Sequence, residues 1–210
     1  VLFVSHNMTA IRSLCKNVYC LYKGQIVNSG PADEIASDYL KTQHAGLKDS
    51  SCIEERNHEA IKNLSFYFSR VEIQNTKGEP ADIFKYDETL VMIVSLSGEP
   101  LLNTYGVSYH MYNNLGQLVS VGASGAYHNI YFNKNTKKIK IKIGPFNLTS
   151  GGYIISLLCW HGEGPTAILA DNWEHACSFT IRESQPFRPG RDISFKEGTC
   201  IIQQSFSAAE

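Results

Sequence analysis

The 210-residue chain has 43% hydrophobic residues, enough for one full hydrophobic core and a second, smaller unit. Its formal net charge of −1 provides no basic surface for nucleic acid, so we predict no nucleic-acid partner. No apolar run approaches the roughly 18 residues of a membrane-spanning helix, and no signal-peptide pattern is present, so we expect a cytoplasmic protein. The six cysteines include no Cys-x-x-Cys pair, which favours reduced thiols.

The first residues predict a buried strand followed by a helix. The apolar run Val1 to Val4 leads into a polar corner at His6, as at the carboxyl edge of a parallel sheet, where a side chain faces a ligand crevice. Met8, Ile11 and Leu14 then recur at helical spacing. Since a parallel strand needs neighbours on both sides, we expect the chain to begin inside a domain.

A short hairpin and a second helix are predicted next. The hairpin has strands over 18–21 and 26–28 with a turn at Gly24, and Pro31 suits the first turn of the helix that follows. The polar, aperiodic composition that comes after this helix predicts a linker over residues 44–60.

Residues 61–210 predict strands throughout. Apolar and polar residues alternate over short runs, and glycine-rich turn signals separate these runs. The sharpest alternation places Ile139, Ile141 and Ile143 between Lys138, Lys140 and Lys142. We therefore predict a mainly β fold: an antiparallel β-sandwich of the jelly-roll or immunoglobulin-like kind, preceded by a small α/β unit over residues 1–43.

Residues 1–43 resemble the end of the ATPase domain of ABC transporters. The matching segments are Phe3-Val4-Ser5-His6-Asn7, Cys15-Lys16-Asn17-Val18, the hairpin from Leu21 to Gly30, and Ala32-Asp33-Glu34-Ile35. The resemblance implies that His6 is the switch histidine, which contacts the γ-phosphate of ATP, and that ATP and Mg²⁺ are the cofactors of the complete ATPase. No G-x-x-x-x-G-K-[ST] loop, signature sequence or Walker-B pair occurs in these residues, so we expect this chain alone to bind no cofactor and to have no enzymatic activity.

The remainder is similar to the C-terminal polysaccharide-binding domain of O-antigen ABC exporters of the Wzt type. The similarity rests on Arg70-Val-Glu-Ile, Tyr86-Asp-Glu-Thr-Leu, Gly106-Val-Ser-Tyr, Asn114-Leu-Gly-Gln-Leu-Val and Leu148-Thr-Ser-Gly-Gly-Tyr-Ile-Ile-Ser. It implies that the sandwich recognises O-antigen polysaccharide before export, at the inner face of the bacterial inner membrane.

The resemblance also has implications for assembly. The expected partners are a membrane-spanning permease subunit and a second copy of the chain, in a homodimer that exchanges a terminal strand at 193–195 or 200–202. The alternative is that the sandwich is only a dimerisation and docking module, with no glycan binding of its own.

A sugar site needs aromatic rings for the C–H faces of the sugar and planar polar groups for its hydroxyls. Strand alternation places Trp160 on the same face as Ser156, opposite the apolar face of Tyr153 and Leu157. The candidate glycan-binding residues, taken from this face and the adjoining loops, are His110, Tyr112, Trp160, His161, Asp171, Asn172 and Trp173.

Each of these residues could have a structural role instead. Trp160 and Trp173 could be packing side chains, and His110 and Tyr112 could be solvated face residues. Tyr153 is predicted to hold a corner of the sandwich through its hydroxyl. The lysine row predicts a solvent-facing or edge strand, with anionic sugars as the alternative. No metal site is predicted, because the spacing of His161, Asp171, His175 and Cys177 matches no zinc pattern.

Overall fold

The computed structural model describes residues 2–4, 8–22, 24–36, 39, 52–182, 198 and 200–201. His6 and the candidate exchange strand at 193–195 lie outside the described residues. Within those ranges no helix is both long enough and apolar enough to cross a lipid bilayer.

The N-terminal region contains the predicted hairpin between two helices. Its elements are α1 (Met8–Leu14), β1 (Asn17–Tyr22), β2 (Gln25–Pro31) and α2 (residues 32–36). Strands β1 and β2 pair antiparallel, and Gly24 has a φ of 79° in the turn, a conformation that glycine adopts without strain. Ala32, Ile35 and Ala36 of α2 are buried.

The strand predicted at the start of the chain is not formed in residues 2–4, so that prediction is wrong for them. These residues have no regular secondary structure, and Leu2 and Val4 are 89% and 84% exposed. The physical reason is pairing: no described strand lies beside them to accept their backbone hydrogen bonds or to cover their side chains.

The first sheet of the sandwich has four antiparallel strands in the order β10-β6-β4-β3. Its strands are β3 (Ile53–Glu55), β4 (Phe66–Gln74), β6 (Leu90–Gly98) and β10 (Lys138–Ile143). The alternation predicted for β10 is confirmed, since Ile139 and Ile143 are buried and the three lysines are exposed. Because β10 lies at the sheet edge, this row of charge opposes pairing with another chain.

The second sheet has six strands, in the order β5-β12-β11-β7-β8 with β9 paired to β7. Its elements are β5 (Ile83–Lys85), β7 (Thr104–Asn113), β8 (Leu118–Ala123), β9 (Phe132–Asn133), β11 (Gly151–His161) and β12 (Ile168–Arg182). Three short helices complete the region: α3 (His58–Ile61), α4 (Ser124–His128) and a 3₁₀ turn at Gly164–Thr166. The predicted antiparallel sandwich is confirmed, with one parallel pairing, between β5 and β12.

The core lies between the two sheets and depends on a bulge in β4. Phe66 and Phe68 face the core before the bulge, and Val71 and Ile73 face it after the bulge. A strict alternation would turn residues 71 and 73 outward, so the extra residue restores the apolar face. Each large buried side chain contributes about 1.5–3 kcal/mol relative to exposure.

The sandwich begins earlier than predicted. Strand β3 pairs with β4 inside the range 44–60 that was predicted to be linker, and the Arg56 side chain is bound to the opposite sheet. The composition of this segment was misleading because β3 is a short edge strand in which Ile53 and Glu55 are exposed and Glu54 is half-buried.

The corner role predicted for Tyr153 is confirmed by its contacts. The buried hydroxyl of Tyr153 donates to the carbonyl oxygen of Thr149 at 2.7 Å. The Thr149 hydroxyl in turn donates to the carbonyl of Gly198 at 2.9 Å, and Ile201 is buried, so residues 198 and 201 lie against this corner.

Candidate functional site

One end of the six-stranded sheet carries a pocket on its outer face, the face turned away from the core. In the pairing of β7 with β11, Trp160 lies opposite Gly106, and Ser108 lies opposite Leu158. Side chains of alternate residues project to the same face, so Trp160 and Ser108 both point outward. Gly106 has no side chain, and a Cβ built there would lie 3.7 Å from Ser124 Oγ and 3.8 Å from the ring of Tyr131.

Trp160 is held in place by the sheet. Its indole Nε1–H donates to the hydroxyl oxygen of Ser108 at 3.2 Å. Ser108 is nearly buried and Trp160 is half-buried. The polar edge of the indole is therefore bound to the protein, and its ring lines the pocket. We call this site the Trp160 pocket.

The walls of the Trp160 pocket come from two connections that Tyr131 joins: the β8–β9 connection, which contains α4, and the β11–β12 connection, which contains the 3₁₀ turn. We call these connections the two loops. One wall contains Ala123, Gly125, Ala126 and Tyr131, and the other contains Gly162, Gly164, Pro165 and Ala167.

Tyr131 packs so closely on the first wall that glycine is required there. A Cβ added to Gly125 would lie 2.7 Å from the Tyr131 ring, which is closer than a carbon contact allows. Across the pocket, the hydroxyl oxygen of Tyr131 accepts the backbone N–H of Gly164 at 3.2 Å. Tyr131 therefore fixes the distance between the two loops.

The size and lining of the Trp160 pocket suit a small, uncharged ligand. Its volume is about 310 Å³, near the lower end of about 300–1,000 Å³ for small-molecule sites. Of the described residues that line it, none is charged, and the side chains with hydrogen-bonding groups are Trp160, Ser108 and Tyr131. An aromatic wall with a few polar groups is the arrangement that sugar rings need.

His110 and Tyr112 lie on the same outer face but away from the Trp160 pocket. Their partners on β11 are Ser156 and Ile154, so the strand rise places His110 about 13 Å from Gly106. Their side chains contact each other, with Tyr112 Oη 3.4 Å from His110 Nδ1 and the rings edge to face. These two predicted residues therefore lie together on the same face as Trp160, about 7 and 13 Å along the strand from Ser108, and neither is among the lining residues of the pocket.

The prediction that Asp171 binds a sugar is wrong, because its carboxylate is already bound within the protein. It accepts two hydrogen bonds from Arg56, at 3.0 and 3.1 Å, and one from the backbone N–H of Phe68 at 3.0 Å. The Asp171 side chain is 2% exposed and that of Arg56 10%. This arrangement, which we call the Arg56–Asp171 clasp, joins the two sheets of the sandwich.

Trp173 and Asn172 lie beside the clasp on opposite faces of β12. Trp173 pairs with Leu157 on the core face, packs partly against the core and has the Arg56 guanidinium 5.2 Å from its ring centre. Asn172 is exposed, with its carbonyl 3.3 Å from Arg56 Nη2. The prediction that Trp173 joins Trp160 is wrong, because the two indoles lie on opposite faces of the sheet.

His161 is also a core-side residue, which corrects its predicted role. It is 3% exposed, its ring packs near Phe66, and its Nδ1 accepts the backbone N–H of Leu101 at 3.3 Å. Burial lowers the pKa of His161, so the neutral imidazole that can accept this bond is favoured. Within the described residues, no group of three or more His, Cys, Asp or Glu side chains is placed to hold a metal ion.

The sequence analysis found Trp160 but missed Tyr131 and the two loops. One signal was present: the turn sequence Gly162-Glu163-Gly164-Pro165 begins two residues after Trp160 and brings small residues near the end of the strand that carries the indole. The position of Tyr131 depends on a contact with Gly125 that no sequence period reveals.

The two sheets define an antiparallel β-sandwich, and a solved structure has the same architecture. The C-terminal domain of Wzt is similar with a TM-score of 0.55 and 13% sequence identity, over 77% of this chain and 90% of that domain. This likeness confirms, at the level of the fold, the resemblance predicted from the sequence.

The other comparisons add no argument about function. The CARDB domain of the PF1109 protein from Pyrococcus furiosus, solved with two metal ions, is similar over 53% of this chain and 89% of that domain. Its identity is 12% and its TM-score 0.31, too low to support an inference. No protein-family model and no curated protein sequence matches the chain.

Proposed function

We propose that this chain is the C-terminal part of the ATP-binding subunit of an ABC exporter of O-antigen polysaccharide, and that its sandwich binds the glycan. The observation that carries the proposal is the Trp160 pocket: an indole fixed by Ser108 and flanked by Tyr131, in an uncharged cleft on a sandwich with the fold of the Wzt C-terminal domain. Aromatic faces with a few hydroxyls bind the C–H face of a sugar and orient its hydroxyl groups.

The other parts of the proposal rest on the sequence resemblance. His6 is proposed as the switch histidine that contacts ATP, with Mg²⁺, in the complete ATPase. The proposed partners are a membrane permease and a second copy of this chain, at the cytoplasmic face of the inner membrane. In this scheme the sandwich admits polysaccharide to the exporter, and ATP-driven closure of paired ATPase domains moves it.

Calorimetric titration of the full chain with O-polysaccharide from the source strain tests the proposal. An unrelated O-polysaccharide is the ligand control. Ala167→Leu should fill the Trp160 pocket and abolish binding, whereas Thr166→Leu, at the exposed neighbouring position outside the lining, should leave binding unchanged. Absence of saturable binding to the source-strain polysaccharide, or equal binding by both variants, would refute it.

A second candidate, a dimerisation and docking module, has one observation in its favour. Leu101, Leu102, Ile168 and Leu169 are between 46% and 69% exposed, although apolar side chains of this size gain free energy when they are covered. If the sandwich is a docking module, changing Leu101 and Ile168 to Ser should disrupt its oligomeric state and leave its glycan affinity unchanged. Size-exclusion chromatography with light scattering, combined with the titration above, separates the two functions.

A further inference from the structure

The Trp160 pocket has the chemistry of a site for a neutral sugar with a methyl group. We propose that it selects a 6-deoxyhexose residue of the glycan, with the C6 methyl placed among the small apolar side chains of the two loops. This inference rests on the proposed glycan function and specifies which sugar residue the site takes.

The charge distribution excludes an acidic sugar. The sequence contains no Lys or Arg from residue 101 to 133 or from 143 to 181, the segments that supply the floor and walls of the pocket. Glu163 lies on the loop between the two lining residues Gly162 and Gly164, so the charge that is present there is negative. A uronate or a phosphate would find no cation to offset its loss of hydration.

The lysine row of β10 lies elsewhere in the sandwich. Lys138, Lys140 and Lys142 are exposed on β10, in the four-stranded sheet. The Trp160 pocket is on the outer face of the six-stranded sheet, so this lysine row cannot balance a negative ligand there.

The lining side chains of the pocket offer only a few hydrogen bonds to a hexose. Ser108 Oγ already accepts from the Trp160 indole, and Tyr131 Oη already accepts from the Gly164 N–H. Each of these two hydroxyls therefore has its proton left to donate. A primary hydroxyl at C6 set against Ala126, Pro165 and Ala167 would find no side-chain partner among them, whereas a methyl group at the same position gains from covering these apolar side chains.

The walls have the shape and chemistry that a methyl group needs. Ala126 and Ala167 present methyl groups, Pro165 presents a ring, and the glycines of both loops leave space at the backbone. The indole of Trp160 offers an aromatic surface for the C–H face of the pyranose ring. A 6-deoxyhexose satisfies both requirements at once.

Sugars that differ only at C6 test this assignment in the full chain. One series is D-fucose, D-galactose and D-galacturonate, which carry a methyl, a hydroxymethyl and a carboxylate at C6. D-quinovose with D-glucose and D-glucuronate, and L-rhamnose with L-mannose, repeat the comparison for other ring configurations. Affinities are measured by NMR titration, with the Trp160 indole N–H as the reporter.

In at least one series the 6-deoxy sugar should bind about tenfold more tightly than its hydroxymethyl counterpart, equivalent to about 1.4 kcal/mol. The uronates should not bind. Ala126→Leu, which narrows the pocket from the α4 side, should remove this binding, and Tyr127→Leu, at the exposed neighbouring position, should not.

The assignment is overturned if the hydroxymethyl sugar or the uronate binds as tightly as the 6-deoxy sugar in every series, or if no monosaccharide binds. The source-strain polysaccharide, titrated in parallel, distinguishes this failure from failure of the proposed function. Polysaccharide binding without a C6 preference overturns only the 6-deoxyhexose assignment, whereas no binding of either ligand overturns both.

Discussion

Removing the carboxylate of the Arg56–Asp171 clasp should strongly destabilise the sandwich. Asp171→Ala leaves the guanidinium of Arg56 without its partner in a site where that side chain is 10% exposed, and it also leaves the Phe68 N–H without its acceptor. Breaking a buried ion pair in this way costs about 3–5 kcal/mol. For a chain of this size, each kcal/mol lowers Tm by about 2–4 °C, so we expect a fall of roughly 10 °C.

The assay is urea unfolding of four proteins: the wild type, Asp171→Ala, Arg56→Met and the double variant. The loss of unfolding free energy in the double variant should be about 2 kcal/mol smaller than the sum of the losses in the two single variants, because no unpaired charge then remains. Lys62→Ala, which removes a partner from the exposed pair with Glu59, should leave the midpoint unchanged. A loss below about 1 kcal/mol in Asp171→Ala would refute the clasp and reopen Asp171 as a ligand-binding group.

Three further predictions concern buried groups. Because burial lowers the pKa of His161, the unfolded state binds a proton at this side chain more readily than the folded state does. The contribution of His161 to the free energy of unfolding is therefore full above about pH 6.5 and falls as the pH drops below that value. His161→Gln should flatten the dependence of the unfolding free energy on pH, and an unchanged slope would contradict this. Tyr153→Phe should lower the free energy of unfolding in urea by about 1–3 kcal/mol, because the buried Thr149 carbonyl loses its donor. An unchanged free energy of unfolding would show that this hydrogen bond does not stabilise the corner. Burial raises the pKa of Cys177 to about 12. In the folded protein Cys177 should therefore resist Ellman's reagent, while the exposed Cys200 should react with it. Equal reaction rates of the two thiols would show that Cys177 is accessible.

Local signals were sufficient for much of the fold. The alternation of Ile and Lys in β10 predicted which side chains are buried, and the glycines after Thr149 predicted a corner at Tyr153. These features depend on a strand period of two and on turn chemistry, both of which are visible within a few residues. They needed no knowledge of which strands pair.

The site was harder to predict because its residues are selected by long-range contacts. Asp171, Asn172 and Trp173 were assigned to a loop because of their polarity, yet they lie within the continuous strand β12. The buried carboxylate of Asp171 is compensated by Arg56, which is 115 residues earlier in the chain. No local pattern predicts that pairing.

Bulges limit how far the alternation of side chains along one strand can be used to place side chains on the neighbouring strand. The pairing of β11 with β12 shifts register between Ile155 and Leu157 and again between Cys159 and Trp160. Alternation within β11 still placed Trp160 correctly on the outer face, but it could not be carried across to β12. Trp173, predicted to join Trp160 from an adjoining loop, lies instead on the opposite face of the sheet.

That separation makes the two tryptophans a direct test of the central claim, that glycan binds in the Trp160 pocket. The chain has two tryptophans, so a ¹H–¹⁵N correlation spectrum contains two indole N–H signals, which Trp160→Phe and Trp173→Phe assign. On addition of source-strain O-polysaccharide, we expect a saturable shift of the Trp160 signal and none of the Trp173 signal. A shift of Trp173 alone, or of neither signal, would contradict it.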